Sequence, residues 1–401
     1  MLYVEGALER YLSIHRNKVA MTSGVLLLAV VFAILATAIT QESQGNKQLE
    51  LLHVIMRHGA RTPASTYPND PYINNTFYPI GWGQLTNVGK IQLYETGKFL
   101  RKRYNAFLGD RYTPDLFYTQ STDVDRTKAS MQLVNAGMWP PKGDQIWGPL
   151  DWQPIPIHSE PLKDDMLLLV RKPCPQYSLE QIRSKDSPEV KEKLEKFRPT
   201  FDAVSKLTGQ SMKDFADAED VYSTLLAEKN FNLTLPDWTK DYFPEKLEEP
   251  TVFFYVFNSY TEKMKRLKGG VLLKKLIGDW KAKADGQLSP KERKAFLYGG
   301  HDSTIANLLS TLKIWDPQIP GYAITVLLEM SRDKASGELG IEIFLRNTTN
   351  LPPHLLTIPG CKSFCPLTKL IELTASVTPE NWEEECKSDD SNFTPPPPGA
   401  P

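Results

Sequence analysis

Net charge is what this chain most lacks. Its 401 residues carry 47 lysines and arginines against 48 aspartates and glutamates, a formal charge of −1, so no global field gathers polyanions and any anion site has to be assembled locally. Nucleic-acid binding is disfavoured as the main activity. No hydrophobic run occurs near the C-terminus, where KSDDSNFTPPPPGAP reads as a polar, proline-rich, disordered tail over residues 387–401. There is no G-x-x-x-x-G-K-[ST], which removes a P-loop, and no G-x-S-x-G, which removes a serine triad on a nucleophile elbow. H-E-x-x-H and carboxylate-dense metal motifs are also missing. His53 and His58 do not replace them, because five positions apart on a strand they face opposite sides. Neither a metal nor another cofactor is expected. No internal repeat is visible.

The content that is present points to a folded, secreted protein. With 41% hydrophobic and 10% aromatic residues, the chain fills one large core or two unequal ones. Between Lys18 and Glu42 lie 23 uncharged residues, including VLLLAVVFAILATAI, preceded by Arg10, Arg16 and Lys18. Residues 1–45 therefore read as a signal peptide or a signal anchor, with 19–41 as the segment that could just cross a bilayer. In an oxidising lumen the even set Cys174, Cys361, Cys365 and Cys386 reads as two bridges. A zinc site is the weaker competitor, since C-x3-C has no second close pair and only His354 nearby. Sequons at Asn74, Asn232, Asn347 and Asn392 agree with secretion, although Pro395 follows the last.

Along the chain, LELLHVIM (49–56) reads as a buried central strand, and DLFYT (115–119) and KAFLYGG (294–300) as two more. Each leads towards a helix; the first of these has Thr86 as its N-cap and an apolar stripe through Leu93, Gly97, Leu100 and Tyr104. Strand-to-helix alternation predicts an α/β fold with a central, mostly parallel sheet flanked by helices. YAITVLLEM and GIEIFLRN read as a hairpin that extends the sheet at its edge. Residues 176–250 become highly charged, with helical apolar triplets such as Val190, Leu194 and Phe197, and read as a smaller helical cap inserted into the catalytic domain. The expected domains are thus 46–175 with 251–386 for the α/β body, 176–250 for the cap and 387–401 for the tail.

All three strand ends carry charge: Arg57, His58 and Arg61 after the first, Asp123, Asp125 and Arg126 after the second, His301 and Asp302 after the third. In open α/β sheets ligands collect at those ends. Phosphate suits these residue types, because guanidinium forks match its oxygens and stay charged. Helix N-termini add backbone N–H donors, and Gly59 permits close approach. Asp123 and Asp125 read mainly as turn and capping residues, and His158 as structural, in a proline-rich loop without a carboxylate partner.

RHGARTP (57–63) resembles the R-H-G-x-R-x-P signature of the histidine acid phosphatases, the second branch of the histidine phosphatase superfamily. STDVDRT (121–127) is similar to that family's second arginine block, and GGHDSTI (299–305) to its His-Asp block. GQLTNVG, WQPIPIH and PGCKSFCP resemble the animal acid phosphatases of the prostatic and lysosomal type. The resemblance implies His58 as the nucleophile that forms a phosphohistidine. It implies Arg57, Arg61, Arg126 and His301 as phosphate ligands, Asp302 as the proton donor, no metal, and inhibition by tartrate and vanadate. It agrees with a short-loop bridge Cys361–Cys365 across CKSFC, which leaves Cys174 to pair with Cys386. Gln120 stands where the family commonly has an arginine.

The reading is a phosphomonoesterase of small substrates working best at acid pH, secreted, lysosomal or membrane-anchored, with a homodimer also admissible. Alternatives are a specialised phosphatase for inositol phosphates, lysophosphatidate or phosphotyrosine peptides, and a non-catalytic secreted binding protein that keeps the fold.

Overall fold

The computed structural model describes residues 46–388, 390 and 392–396. The apolar segment 19–41 and the end of the tail lie outside the described residues, among which no helix is long and apolar enough to cross a membrane.

Strand β1 (Lys47–Arg57) is buried continuously from Leu51. Its side chains alternate between two cores, Leu51 and Ile55 in one and Leu52, Val54 and Met56 in the other, as the two-residue period of a strand requires. Helix α1 (Asn87–Arg103) begins where the Thr86 side chain accepts the Gly89 N–H, and it buries Leu93, Gly97 and Leu100. There follow β2 (Phe117–Ser121), α2 (Asp125–Met138), α3 (Pro175–Lys185), α4 (Pro188–Thr208), α5 (Phe215–Asn230), α6 (Glu245–Phe257) and α7 (Gly269–Ala284). The chain then returns to the sheet as β3 (Ala295–Gly300), α8 (Asp302–Thr311), β4 (Thr325–Asp333), β5 (Leu339–Arg346), β6 (His354–Leu356) and β7 (Cys365–Pro366).

The strand order is β2-β3-β1-β4-β5-β6, with β7 paired to β5. β2, β3 and β1 run parallel, Ser121 beside Gly299 and Gly300 beside Arg57, so these three strands end level. β6 and β7 add to β5 antiparallel. Apolar side chains of α1 and α2 share a core with one face of the sheet, and those of α7 and α8 share a core with the other, giving an α/β sheet that is mostly parallel in its centre. The hairpin extends the sheet as expected: β4 lies directly against β1 and β5 beyond it. Thr325–Ser331 is buried without interruption, and a run that is apolar on both faces is covered on both sides only inside the sheet.

Helices α4, α5 and α6 have their own aromatic-rich core, with Phe197, Phe201, Phe215 and Phe257, into which Tyr67 enters from the loop after β1. Bridges join Cys174 to Cys386 and Cys361 to Cys365. Residues 332–338 group with residues 46–48 as a separate small unit, where the Asp333 carboxylate accepts the Ala335 and Ser336 N–H groups.

Two glycines fix how closely α1 approaches the end of β1. A Cβ on Gly59 would come within 3.0 Å of the Gly89 backbone, and one on Gly89 within 3.0 Å of Ala60. Backbone contact without side chains between is available only to glycine.

Glu228 on α5 is fully buried, and neither of its carboxyl oxygens has a hydrogen-bond partner among the described residues. Burial, and then the neighbouring Asp70 carboxylate, push its pKa from 4.5 up to about 8. Because the folded-state value lies above the unfolded one, the protonated acid favours folding. That stabilisation is complete below pH 4.5, and it is lost as pH rises through 8. The cost of the unpaired carboxylate is on the order of 3 kcal/mol by pH 7. Glu228→Gln should therefore lose less melting temperature than the parent protein between pH 6 and pH 9. Equal losses in a thermal scan would remove Glu228 as the source.

Candidate active site

The level strand ends place His58, Thr122 and His301 in a row, each one residue past its strand. The backbone closes this row: His58 N–H donates to Gly300 O at 3.1 Å and Thr122 N–H to Gly299 O at 3.1 Å. Arg57, His58, Arg61, Arg126 and His301 are all at most 7% exposed. Thus the structure brings together the six residues singled out in the sequence, five nearly buried and Asp302 half-buried. A cleft of about 150 Å³ opens over His58, Arg61, Arg126, His301 and Asp302.

His58 Nδ1 lies 2.9 Å from the carbonyl oxygen of Gly59. A carbonyl can only accept, so Nδ1 carries the proton and, in the neutral ring, Nε2 is the basic nitrogen. Burial, then the positive charges of Arg126 and Arg57, hold the His58 pKa well below 6.5. The ring therefore stays neutral in acid. His301 is fixed in the opposite sense. Arg126 Nη2, which can only donate, approaches its Nδ1 at 3.5 Å, and its Nε2 donates to Thr122 Oγ1 at 3.0 Å. Thr122 continues to Thr127 Oγ1 at 2.7 Å, which donates to Val124 O. Burial, then Arg126, also depress the His301 pKa well below its usual range.

The arginines differ in their partners. Arg57 donates to Asp302 Oδ2 at 2.8 Å and to the Pro320 carbonyl, and its guanidinium lies 4.5 Å over the Tyr322 ring. Arg61 Nη1 donates to Thr62 O. The Nε atoms of all three arginines are buried without a partner among the described residues. For Arg126, burial and then Arg61 lower the pKa to about 10. Arg61 and Arg126 line the cleft, where an oxyanion would meet their guanidinium groups.

Asp302 opens α8, where its Oδ1 accepts the Ser303 N–H at 2.7 Å. Burial alone would raise its pKa, but Arg57, and after it His301 and the Ser303 N–H, hold it below 3.8. The largest of these lowering influences is the ion pair with Arg57.

The remaining sequence candidates lie elsewhere. Asp123 pairs with Lys128, and Asp125 sits in the first turn of α2, where its charge suits the helix dipole. His158 stacks on Tyr118 at 4.6 Å and bridges to Gln120 along the outer side of β2, and neither lines the cleft. Among the sequons, Asn74, Asn232 and Asn392 are exposed and Asn347 is half-buried. Sequence reasoning missed Glu219 and Asp220 of α5, Arg171 and Leu169 on the cleft wall, and Tyr322 beneath Arg57. ADAEDVYS reads as an ordinary solvated helix face, and nothing local in LLLVRKP marks Arg171.

Known proteins resemble this arrangement. The profile of the Histidine phosphatase superfamily (branch 2) matches residues 48–339. Prostatic acid phosphatase of Homo sapiens is 36% identical over 353 residues, 86% of this chain and 90% of that protein. Lysosomal acid phosphatase of Homo sapiens is 34% identical over 346 residues, 85% and 81% of the two chains. A solved Hafnia alvei phytase in complex with myo-inositol hexakis sulphate superposes with a TM-score of 0.65 at 18% identity, covering 86% of this chain and 99% of that one; at that identity it speaks for the fold alone.

The geometry sets a group of buried arginines beside a neutral imidazole. Inorganic phosphate or vanadate at a hundred times its dissociation constant should stabilise the protein by about 2.7 kcal/mol, and His58→Ala should retain most of that gain. Arg61→Ala should lose it. A His58→Ala protein whose melting temperature ignores both anions would contradict the clamp.

Proposed function

The chain belongs to branch 2 of the histidine phosphatase superfamily and hydrolyses phosphate monoesters as an acid phosphatase, and we propose that it does so through a phosphohistidine on His58. The observation that carries the proposal is the His58 tautomer: Nδ1–H tied to Gly59 O, with the ring lining a cleft shared with Arg61, Arg126, His301 and Asp302.

In the first step the Nε2 lone pair of His58 forms the N–P bond as the ester P–O bond breaks. The proton of Asp302 passes to the departing alkoxide oxygen. Arg57, Arg61 and Arg126 hold the equatorial oxygens, where fixed cations stabilise charge in the transition state; neutral His301, expected from sequence to bind phosphate, instead gives its one N–H to Thr122 and positions Arg126 through Nδ1. In the second step water adds to phosphorus, its proton passes to the Asp302 carboxylate, and the P–N bond breaks to return neutral His58.

Acid operation follows from two opposed requirements. The nucleophile must be neutral, and a histidine of ordinary pKa would be only about 3% neutral at pH 5; the depressed value of His58 lifts that restriction. The donor must be protonated, yet in the free site Arg57 keeps Asp302 ionised. A phosphate dianion that takes over Arg57 removes the counter-ion of Asp302 and adds negative charge beside it, and both effects raise its pKa. Low pH supplies the rest.

The apolar segment at 19–41, the two disulfides and the exposed sequons support delivery to the secretory pathway, as a glycosylated protein in the extracellular space or the lysosomal lumen.

Asp302→Asn keeps the shape and removes the proton. Single-turnover phosphorylation by alkyl phosphates should fall by about 100-fold or more, while p-nitrophenyl phosphate, with its good leaving group, still loads the enzyme. Phosphohistidine should then accumulate as an acid-labile label. Equal losses for alkyl and aryl esters would show that Asp302 positions the site without transferring a proton. Hydrolysis of p-nitrophenyl phosphate at pH 5 should survive EDTA. A loss restored by added divalent cation would refute the arginine-only clamp.

A further inference from the structure

With the transferring phosphate assigned to Arg57, Arg61 and Arg126, and neutral His301 turned to Thr122 and Arg126, the charges left on the cleft wall are mostly of the opposite sign. They are Arg171, Glu219, Asp220 and Asp302. Arg171 has the Asp165 carboxylate nearby to offset it. Glu219 and Asp220 are consecutive residues of α5, the first half-buried and the second exposed at the rim. Each has a neutral hydroxyl donor: Tyr255 Oη bonds Glu219 Oε1 at 3.1 Å, and Ser65 Oγ bonds Asp220 Oδ1 at 3.4 Å. Hydroxyls satisfy a carboxylate oxygen without cancelling its charge.

Position gives this acidic wall a function. Asp302 has to face the leaving oxygen, and Glu219 lies near enough to Asp302 for their negative charges to act on each other. The alcohol part of the substrate thus leaves along the side of the cleft that α5 forms. We infer that Glu219 and Asp220 are specificity-determining residues, selecting phosphate monoesters whose alcohol is neutral or bears a cationic amine and disfavouring those with a second anionic group close to the ester. The inference rests on the phosphatase reading of the same cleft. A second phosphate or carboxylate would meet like charge in a partly desolvated wall, where repulsion is little screened, whereas an ammonium would meet its counter-ion.

The selection depends on pH. Glu219 is raised to about 7 by burial first, then by the charges of Asp302 at the start of α8 and of Asp220 on its own helix. Arg61, from the loop after β1, and the hydroxyl of Tyr255 on α6 act in the opposite direction. As pH rises from 5 to 7.5 Glu219 loses its proton, and the wall becomes more negative. The esters' own ionisations differ, because an ammonium lowers and a carboxylate raises the second phosphate pKa, so each ester is titrated and kcat/KM is expressed per ionised form before the ratios are taken.

Three esters of similar length test this: 2-aminoethyl, n-propyl and 2-carboxyethyl phosphate, assayed for kcat/KM at pH 5 and pH 7.5 with p-nitrophenyl phosphate in parallel. The parent enzyme should prefer the aminoethyl over the carboxyethyl ester by about tenfold at pH 7.5 and by less at pH 5. In Glu219→Gln/Asp220→Asn the ratio should fall to within about threefold and lose its pH dependence. An unchanged ratio in that variant, or a parent enzyme that prefers the carboxyethyl ester, overturns the inference. If the double variant does not fold, Asp220→Asn alone decides: the ratio must fall, and an unaltered one overturns the inference. Turnover of p-nitrophenyl phosphate with a flat ratio rejects the acidic selector only. No turnover of any of the four esters rejects the phosphatase reading, and the selector with it.

Discussion

The ion pair between Arg57 and Asp302 is the interaction on which the site depends. Three guanidinium groups lie almost wholly out of water around one cleft, an arrangement that repels itself and is costly to desolvate. The lowered pKa of Arg126 reflects its burial first and then the repulsion of Arg61. Asp302 meets one of the three directly, at 2.8 Å, and leaves the buried Nε donors unmatched. The free site is therefore held together by the residue that must later change partners. In the proposed mechanism an incoming phosphate takes over Arg57 and releases Asp302, so that binding and the preparation of the acid become one electrostatic event.

The fold supplies what that ion pair cannot. Arg57 and Asp302 are 245 positions apart in the sequence, and they meet because β1 and β3 are adjacent, parallel and level. Gly59 and Gly89 let α1 close on the loop that carries Arg61, so the arginine next to the nucleophile is set by backbone contact. Opposite His tautomers follow from equally local facts, a carbonyl beside His58 and a threonine beside His301. These are small groups with large consequences, because a flipped tautomer would remove the lone pair on which the chemistry relies.

Much of the site was legible in the sequence, and the reason is physical. Arg57, His58, Arg126, His301 and Asp302 each sit within a few residues of a strand that is apolar enough to be recognised, so sequence position and spatial position coincide. Legibility ends where function depends on contacts between distant elements. Glu219 and Asp220 sit on a helix whose acidic residues look like any solvated face until the cleft is found beneath it. Tyr322, under Arg57, and Arg171, on the wall, have no local signature. Glu228 is a similar case: its charge pattern suggests exposure, yet it is fully buried.

The bridge between Cys174 and Cys386 spans 212 positions and makes a covalent ring of the chain between them. His58, Arg61 and Arg126 lie outside that ring; His301, Asp302 and the helices that carry Glu219 lie on it. The two halves of the active site thus belong to a tail and a ring, joined by backbone at one point. A single cut by a protease anywhere on the ring opens a circle without releasing a fragment, and all the catalytic groups stay in one molecule. A cut between Arg126 and Cys174 is different, since it severs the nucleophile from its acid. Under proteolysis, the stretch of chain most in need of protection is the one between Arg126 and Cys174, which the ring does not include.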